Sequence, residues 1–153
     1  MDCKKVTDVG TVGPGGVDEL NIHFLECGTS QAGCDVSSPG APLGLIQLNN
    51  IPTLLTLREN PTTKKQVIAD EFKSNATTKE FVKLVFHALP GGSCSEWPET
   101  TVKGQVAAET NGELLNFTNP ELAGNTIEAF GKAAKFVGDA NQMLTNGGKL
   151  GVK

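Results

Sequence analysis

The sequence predicts an α+β fold: an N-terminal β-hairpin, a five-stranded antiparallel sheet and one or two C-terminal helices. Three observations support this prediction. Up to about residue 109, apolar and polar residues alternate with the period of two that is typical of strands. Clusters of Gly, Pro and Asn separate the alternating segments. After residue 118, apolar residues recur every three or four positions, which is the spacing of an amphipathic helix.

The N-terminal hairpin is predicted over residues 4–26. Its first strand is rich in Val and Thr, and residues 13–16 (Gly-Pro-Gly-Gly) form a strong turn signal. In the segment that follows, Leu20, Ile22 and Phe24 alternate with other residues, which indicates a second strand with one apolar face. Because only a short turn separates them, the two strands are predicted to pair with each other.

Five further strands are predicted between residues 43 and 109, where they form the antiparallel sheet. Residues 28–42 are rich in Gly, Ser and Pro and are interpreted as a loop. The alternation of side chains is clearest at 79–89, and the connector after it, 90–99, is long. The predicted strands are Leu43–Leu48, Thr53–Arg58, Lys65–Lys73, Lys79–Leu89 and Thr100–Glu109.

One or two helices are predicted after the sheet, within residues 119–145. Thr118 or Asn119 can cap the first free N–H groups of a helix, and Pro120 suits its first turn. Apolar residues then recur at helical spacing as far as Val137. The predicted helices are Asn119–Val137 and Ala140–Thr145, and residues 147–153 are predicted to be a flexible tail.

Length and charge narrow the classes of function. The 153 residues suffice for one domain, 1–153, with a hydrophobic core. The formal net charge of −4 excludes a strongly basic, nonspecific nucleic-acid binder. No apolar run reaches the roughly 20 residues that span a bilayer, so no membrane partner is predicted. The N-terminus lacks the apolar segment of a secretory signal, so no secretory signal is predicted.

The residue types that usually carry catalysis are few. His23 and His87 are the only histidines, and both lie in predicted strands with no nucleophile motif beside them. Asp70 and Glu71 are adjacent in a strand, so they point to opposite faces and cannot act as a carboxylate pair. Neither glycine-rich segment continues as a phosphate-binding loop. We therefore predict no catalytic residues, no cofactor and no enzymatic activity.

The four cysteines, Cys3, Cys27, Cys34 and Cys94, leave three disulfide pairings open. A local Cys27–Cys34 bridge would close a short loop and stabilise the chain by roughly 2–3 kcal/mol. A zinc site formed by His23, Cys27 and Cys34 has a spacing that matches no common site, so no metal is predicted. Unpaired thiols are the remaining possibility. A chain made in a reducing cytosol can still form disulfides after release from the cell.

The predicted sheet has one apolar face and one polar, locally basic face. Two interpretations of the basic face stay open: a solvated surface, which is common in antiparallel sheets, or a surface that contacts the phosphate backbone of a nucleic acid. The residues of this face are Thr56, Arg58, Lys79, Lys83, His87, Thr101, Lys103 and Gln105.

The apolar face needs a cover that one helix does not supply. A second copy of the chain, contributing its own helix, would cover it, so a closely packed homodimer is predicted. In this dimer each helix packs on the sheet of the partner. The predicted interface residues are Leu122, Ile127, Phe130, Ala134 and Val137.

In its order of elements, hairpin, five-stranded sheet and C-terminal helices, the chain resembles the coat proteins of single-stranded RNA bacteriophages. The resemblance implies helices that clasp the partner's sheet, dimers that tile an icosahedral shell, and single-stranded RNA as the enclosed partner. It also implies that the loop 90–99, with Cys94, links subunits in the shell. By strand position, the resemblance assigns RNA contacts to Arg58, Lys83, His87, Lys103 and Gln105.

The function predicted from the sequence is therefore that of a viral coat protein, found in the virion and made in the host cytoplasm. Two alternatives stay open. A cement or tail-tube protein of a tailed phage would account for the acidic charge and the scattered cysteines. A small, non-enzymatic binding module is the second alternative.

Overall fold

The computed structural model describes residues 1–13, 17–95, 97, 99–117, 122, 124–145 and 148. None of these residues is helical, and the fold is all-β: a ten-stranded antiparallel sheet and a separate two-stranded hairpin. The predicted α+β fold is therefore wrong. The strands are β1 (Asp2–Val12), β2 (Val17–Gly28), β3 (Cys34–Ser37), β4 (Ile46–Glu59), β5 (Gln66–Lys73), β6 (Val82–Ala88), β7 (Thr100–Val102), β8 (Gln105–Thr110), β9 (Leu114–Asn116), β10 (Glu128–Ala129), β11 (Lys132–Ala133) and β12 (Asp139–Asn141).

A strand occurs in each segment where alternating residues predicted one, but the divisions between strands differ in places. β1 and β2 form the N-terminal hairpin, and β5 and β6 lie within the predicted segments. The two strands predicted at 43–48 and 53–58 are one long strand, β4, which bends at Asn50. β3 lies in the segment that was interpreted as a loop, where four residues are too few for the alternation to be visible.

The two predicted C-terminal helices are wrong. The first helix was predicted over 119–137, where β10 and β11 form a hairpin around Phe130 and Gly131, with φ angles of 55° and 67°. Two successive positive φ angles are typical of a tight hairpin turn and cannot occur in a right-handed helix. The second helix was predicted over 140–145, where β12 instead pairs with β9. The predicted capping residues at 118–121 and most of the predicted tail lie outside the described residues.

One bent segment closes the sheet. Residues 100–110 were predicted as a single strand, but β7 pairs with β6 whereas β8 pairs with β5. Starting from β8, the paired strands follow in the order β5, β4, β2, β3, β6 and β7. Only two residues separate the end of β7 from the start of β8, so the sheet closes on itself. Gly104 lies at the change of partner, with a φ angle of 98°. A rolled sheet of this kind buries one face around a single core.

The chain covers its own core. Apolar side chains from β2, β4, β5, β6 and β8 face inward, and Leu48, Ile51 and Val106 are almost fully buried. Leu122 and Ile127, from the segment that follows β9, are buried as well. The covering role that was predicted for a partner's helix is thus filled by the chain's own C-terminal segment, and this argument for a dimer no longer holds.

Gly104→Ala is expected to lower the free energy of unfolding by at least about 2 kcal/mol, because it combines an unfavourable φ angle with a steric clash. A methyl group on Gly104 would lie 2.1 Å from the carbonyl oxygen of Thr126. Gly40 is the matched control, because its φ angle is also positive, at 76°, but no atom lies within 4 Å of the added group. Urea unfolding followed by circular dichroism measures the free energy of unfolding of both variants. Equal losses in the two variants would contradict the steric role of Gly104.

Candidate functional site

The five residues predicted to contact RNA do not all lie on neighbouring strands of the sheet. β4, which carries Arg58, and β6, which carries two of the others, are not hydrogen-bonded neighbours. The guanidinium of Arg58 forms an ion pair with Glu71 of β5, whose side chain is only 3% exposed. Lys73 Nζ lies 3.7 Å from the other carboxylate oxygen of Glu71. The charge of Arg58 is thus balanced within the chain.

The two lysines of the predicted RNA surface differ in their surroundings. Lys83 Nζ lies 2.6 Å from a carboxylate oxygen of Glu99, and this hydrogen bond, with the attraction between the two charges, raises the pKa of Lys83. Lys103 is exposed and forms no ion pair with the described residues. Lys103 is therefore the more available of the two for an external anion.

Arg58 and Gln105 are brought together beside Gly124. Gln105 Nε2 donates a hydrogen bond of 3.0 Å to the carbonyl oxygen of Gly124, and a methyl group on Gly124 would lie 3.5 Å from Arg58 Nη1. The segment around Gly124 thus lies against both side chains.

The remaining predicted RNA contact, His87, lies beside a serine. His87 Nε2 is 2.9 Å from the hydroxyl oxygen of Ser37, and Asp35 is opposite His87 in the strand register. The carboxylate of Asp35 accepts a hydrogen bond from the backbone N–H of Val36. Ser37 is only 1% exposed, so its hydroxyl cannot reach a substrate in solution. The arrangement is a buried polar contact that joins β3 to β6.

The residues predicted at the dimer interface separate into two groups. Ile127 is buried in the main core, against which Ala134 packs, and Leu122 is buried in a second, smaller apolar cluster. Phe130 and Val137 are exposed. The ring of Phe130 contacts the rings of two half-buried aromatic residues, Phe86 and Trp97. The five residues therefore form no continuous apolar stripe.

The cysteines form two disulfides, Cys3–Cys27 and Cys34–Cys94. The prediction that disulfides are used is consistent with this pairing, whereas the local Cys27–Cys34 bridge does not form. Both cysteines of the considered zinc site are used in disulfides, and no group of metal-ligating side chains occurs among the described residues. Because Cys94 is bonded within the chain, its sulfur is not available to link subunits.

Among the described strands, β1 has the longest edge without a partner strand. β1 pairs with β2 along one side only, whereas every other described strand longer than three residues pairs with at least two neighbours. The register between β1 and β2 runs from Asp2 to Val12 without a shift. An edge of this length presents a row of unpaired backbone N–H and C=O groups to any strand that approaches.

One end of β1 is fixed firmly to β2. The Cys3–Cys27 disulfide joins the strands, and Lys5 Nζ lies 2.6 Å from a carboxylate oxygen of Glu26. Lys4 Nζ lies 3.7 Å from the other oxygen. The hydrogen bond and charge of Lys5 lower the pKa of Glu26, and Glu26 in turn raises the pKa of Lys5. These contacts hold β1 in place at the side of the sheet.

The other end of β1, residues 6–12, carries the exposed apolar side chains. Val6, Val9 and Val12 are all exposed, and Val9 reaches 68%. Natural edge strands are usually protected by Lys, Pro, a bulge or short length, yet this segment has none of these and only Asp8 is charged. The sequence predicted this segment only as the first strand of a hairpin. Its exposed apolar edge corresponds to a Val- and Thr-rich run with one charge.

Among the described residues, no helix is long and apolar enough to cross a membrane. The chain matches no protein-family model, and no curated protein or solved structure matches it significantly.

Proposed function

We propose that this chain is a non-enzymatic structural protein that assembles with copies of itself as a subunit of a virion shell or tube. The observation that carries the proposal is the unpaired edge of β1, which lacks protective features over residues 6–12. An edge that lacks protective features and is part of a natural protein is expected to have a partner, since it would otherwise promote aggregation. Strand addition to such an edge supplies affinity through backbone hydrogen bonds.

The two disulfides support a structural role. Cys3–Cys27 fixes the strand that carries the free edge, and Cys34–Cys94 fixes the long connector after β6. Disulfides that hold surface elements in place suit a particle that must persist outside the cell. Enclosure of RNA is not part of the proposal, because Arg58, Lys83, His87 and Gln105 each contact another group of the chain.

The proposal predicts that the purified, oxidised chain forms particles as its concentration rises. Size-exclusion chromatography with light scattering is expected to show a mass that increases with concentration, and negative-stain microscopy to show shells or tubes. Replacing Val6 and Val12 with Lys should remove these particles, because charges along the edge repel an added strand. Val137→Lys is the matched control, since Val137 is an exposed valine outside β1, and it should leave assembly unchanged.

A monomer at every concentration, without particles on the grid, would contradict the proposal. The ratio of absorbance at 260 and 280 nm shows whether the particles contain nucleic acid. Particles of pure protein are expected. Particles with a nucleic-acid spectrum would restore the coat-protein interpretation with RNA inside, with Lys103 as the first residue to substitute.

A further inference from the structure

We infer that β1 pairs with β1 of a second copy of this chain, antiparallel, about a twofold axis that passes through Val9. This inference rests on the proposed function and names the partner of its free edge. The first observation is the sequence of residues 6–12, Val-Thr-Asp-Val-Gly-Thr-Val, which is the same in both directions except at Asp8 and Gly10. An isologous interface requires a surface that is complementary to itself, and a palindromic strand meets this requirement.

In the register about Val9, valines lie opposite valines and threonines lie opposite threonines. In antiparallel strands, directly opposite residues lie on the same face, with Cα atoms about 4.5–5.5 Å apart. Val9 would lie opposite the partner's Val9, and Thr7 opposite the partner's Thr11. On the other face, Val6 would lie opposite the partner's Val12. Valine pairs and threonine pairs of this kind are among the cross-strand contacts that stabilise a sheet.

The charges of β1 favour the same register. About Val9, Asp8 lies opposite the partner's Gly10 and Lys5 opposite the partner's Gly13, so no like charges are directly opposed. In one neighbouring symmetric register, centred on Asp8, two carboxylates would face each other. In the other, centred on Gly10, two glycines would meet and every valine would lose its valine partner. The register about Val9 is therefore the best of the three.

The structure of the edge allows this contact. Residues 6–12 are exposed on both faces of β1, and the pairing of β1 with β2 has no bulge that would bend the edge away. The strand is held by the disulfide and the ion pairs at its other end, so little ordering is needed when a second strand adds. The two sheets then become one continuous sheet across the twofold axis.

Cysteine cross-linking tests this register. The four native cysteines are disulfide-bonded, so a new cysteine is the only free thiol among the described residues. Val9→Cys is expected to form a disulfide-linked dimer on mild oxidation, because the expected Cα separation lies within the range that a disulfide spans. Thr7→Cys and Thr11→Cys should not cross-link separately but should cross-link when mixed. Val137→Cys, an exposed position outside β1, measures cross-linking by random collision.

The outcomes separate this inference from the proposed function. Two results support the register. The yield of disulfide-linked dimer is at least tenfold higher for Val9→Cys than for Val137→Cys, and Thr7→Cys links only to Thr11→Cys. Particles that form while Val9→Cys stays at the collision level overturn the register and leave the proposed function standing. A wild-type chain that remains monomeric, with no cross-linking at any position, overturns both.

A second measurement does not depend on oxidation. Val9→Lys would place two ammonium groups opposite each other on the twofold axis, and we expect it to weaken dimerisation at least a hundredfold in analytical ultracentrifugation. Val9→Thr keeps the β-branched shape without charge and should stay within about threefold of wild type. Because Val9 is 68% exposed, neither change should unfold the subunit. Equal dimerisation by Val9→Lys and Val9→Thr overturns the inference.

Discussion

Replacing Cys34 and Cys94 with Ala is expected to lower the free energy of unfolding by about 4 kcal/mol. The disulfide joins residues 60 apart in sequence, and a closed loop of this length restricts the unfolded chain strongly. Alanine is chosen because Cys34 is buried, and a serine hydroxyl there would add a separate penalty for an unsatisfied polar group. Guanidinium unfolding under oxidising conditions, followed by circular dichroism, measures the difference.

The matched control is the double replacement Cys3→Ala/Cys27→Ala. Its loop spans 24 residues, for which the same entropy argument gives about 3 kcal/mol. The two double replacements should differ more in local hydrogen exchange than in the global free energy of unfolding. β1 keeps its backbone ladder to β2 without the disulfide, whereas the connector after β6 has few such bonds to β3. If removing Cys3–Cys27 lowered the free energy of unfolding more than removing Cys34–Cys94, the argument from loop length would be contradicted.

Hydrogen exchange detects the local difference. The connector contacts the loop before β3 through a close backbone approach, in which a methyl group on Gly92 would lie 2.2 Å from the carbonyl oxygen of Gly33. The amide of Leu89 donates to the same carbonyl, and Gln31 Nε2 donates to the carbonyl of Ser93 at 2.8 Å. Without the disulfide we expect residues 89–95 to exchange faster while β1 stays protected.

Several strands of this fold could be predicted from the sequence because each of them faces a core on one side. Alternation located β2, β5 and β6 correctly, since a half-buried strand must show it. β1 is exposed on both faces over residues 6–12, and it was predicted from its Val- and Thr-rich composition instead. The C-terminal segment also has apolar residues at helical spacing. However, Gly124, Gly131 and Gly138 recur every seven residues, and all three have positive φ angles. The apolar residues fit a helix, but the glycines permit turns that a helix excludes.

The surfaces were harder to predict than the strands, because they depend on which strands become neighbours. A basic face was predicted from Arg58 on β4 and Lys83 on β6, yet these strands are separated by β2 and β3 in the order of pairing. The palindrome at residues 6–12 is visible in the sequence. That β1 lies at an edge is a property of the whole sheet and cannot be derived from β1 alone.

Arg58→Met is expected to destabilise the chain by about 3 kcal/mol, because it leaves the carboxylate of Glu71 buried without its closest cation. Glu71 is 3% exposed, whereas the side chain of Arg58 is half-buried and covers part of it. Lys73, at 3.7 Å, can balance only part of the charge. Methionine has a similar length and keeps the apolar contacts of the arginine stem. Urea unfolding measures the loss.

A second substitution separates the ion pair from simple packing. Arg58→Met/Glu71→Met removes both charges, and we expect it to recover most of the stability that Arg58→Met loses, since a buried ion pair and an apolar pair of similar size are often equally stable. Lys103→Met is the control for loss of an exposed positive charge and should change the free energy of unfolding by less than about 0.5 kcal/mol. If Arg58→Met behaved like Lys103→Met, Arg58 would be free to contact an external phosphate, and the structural role assigned to it would be wrong.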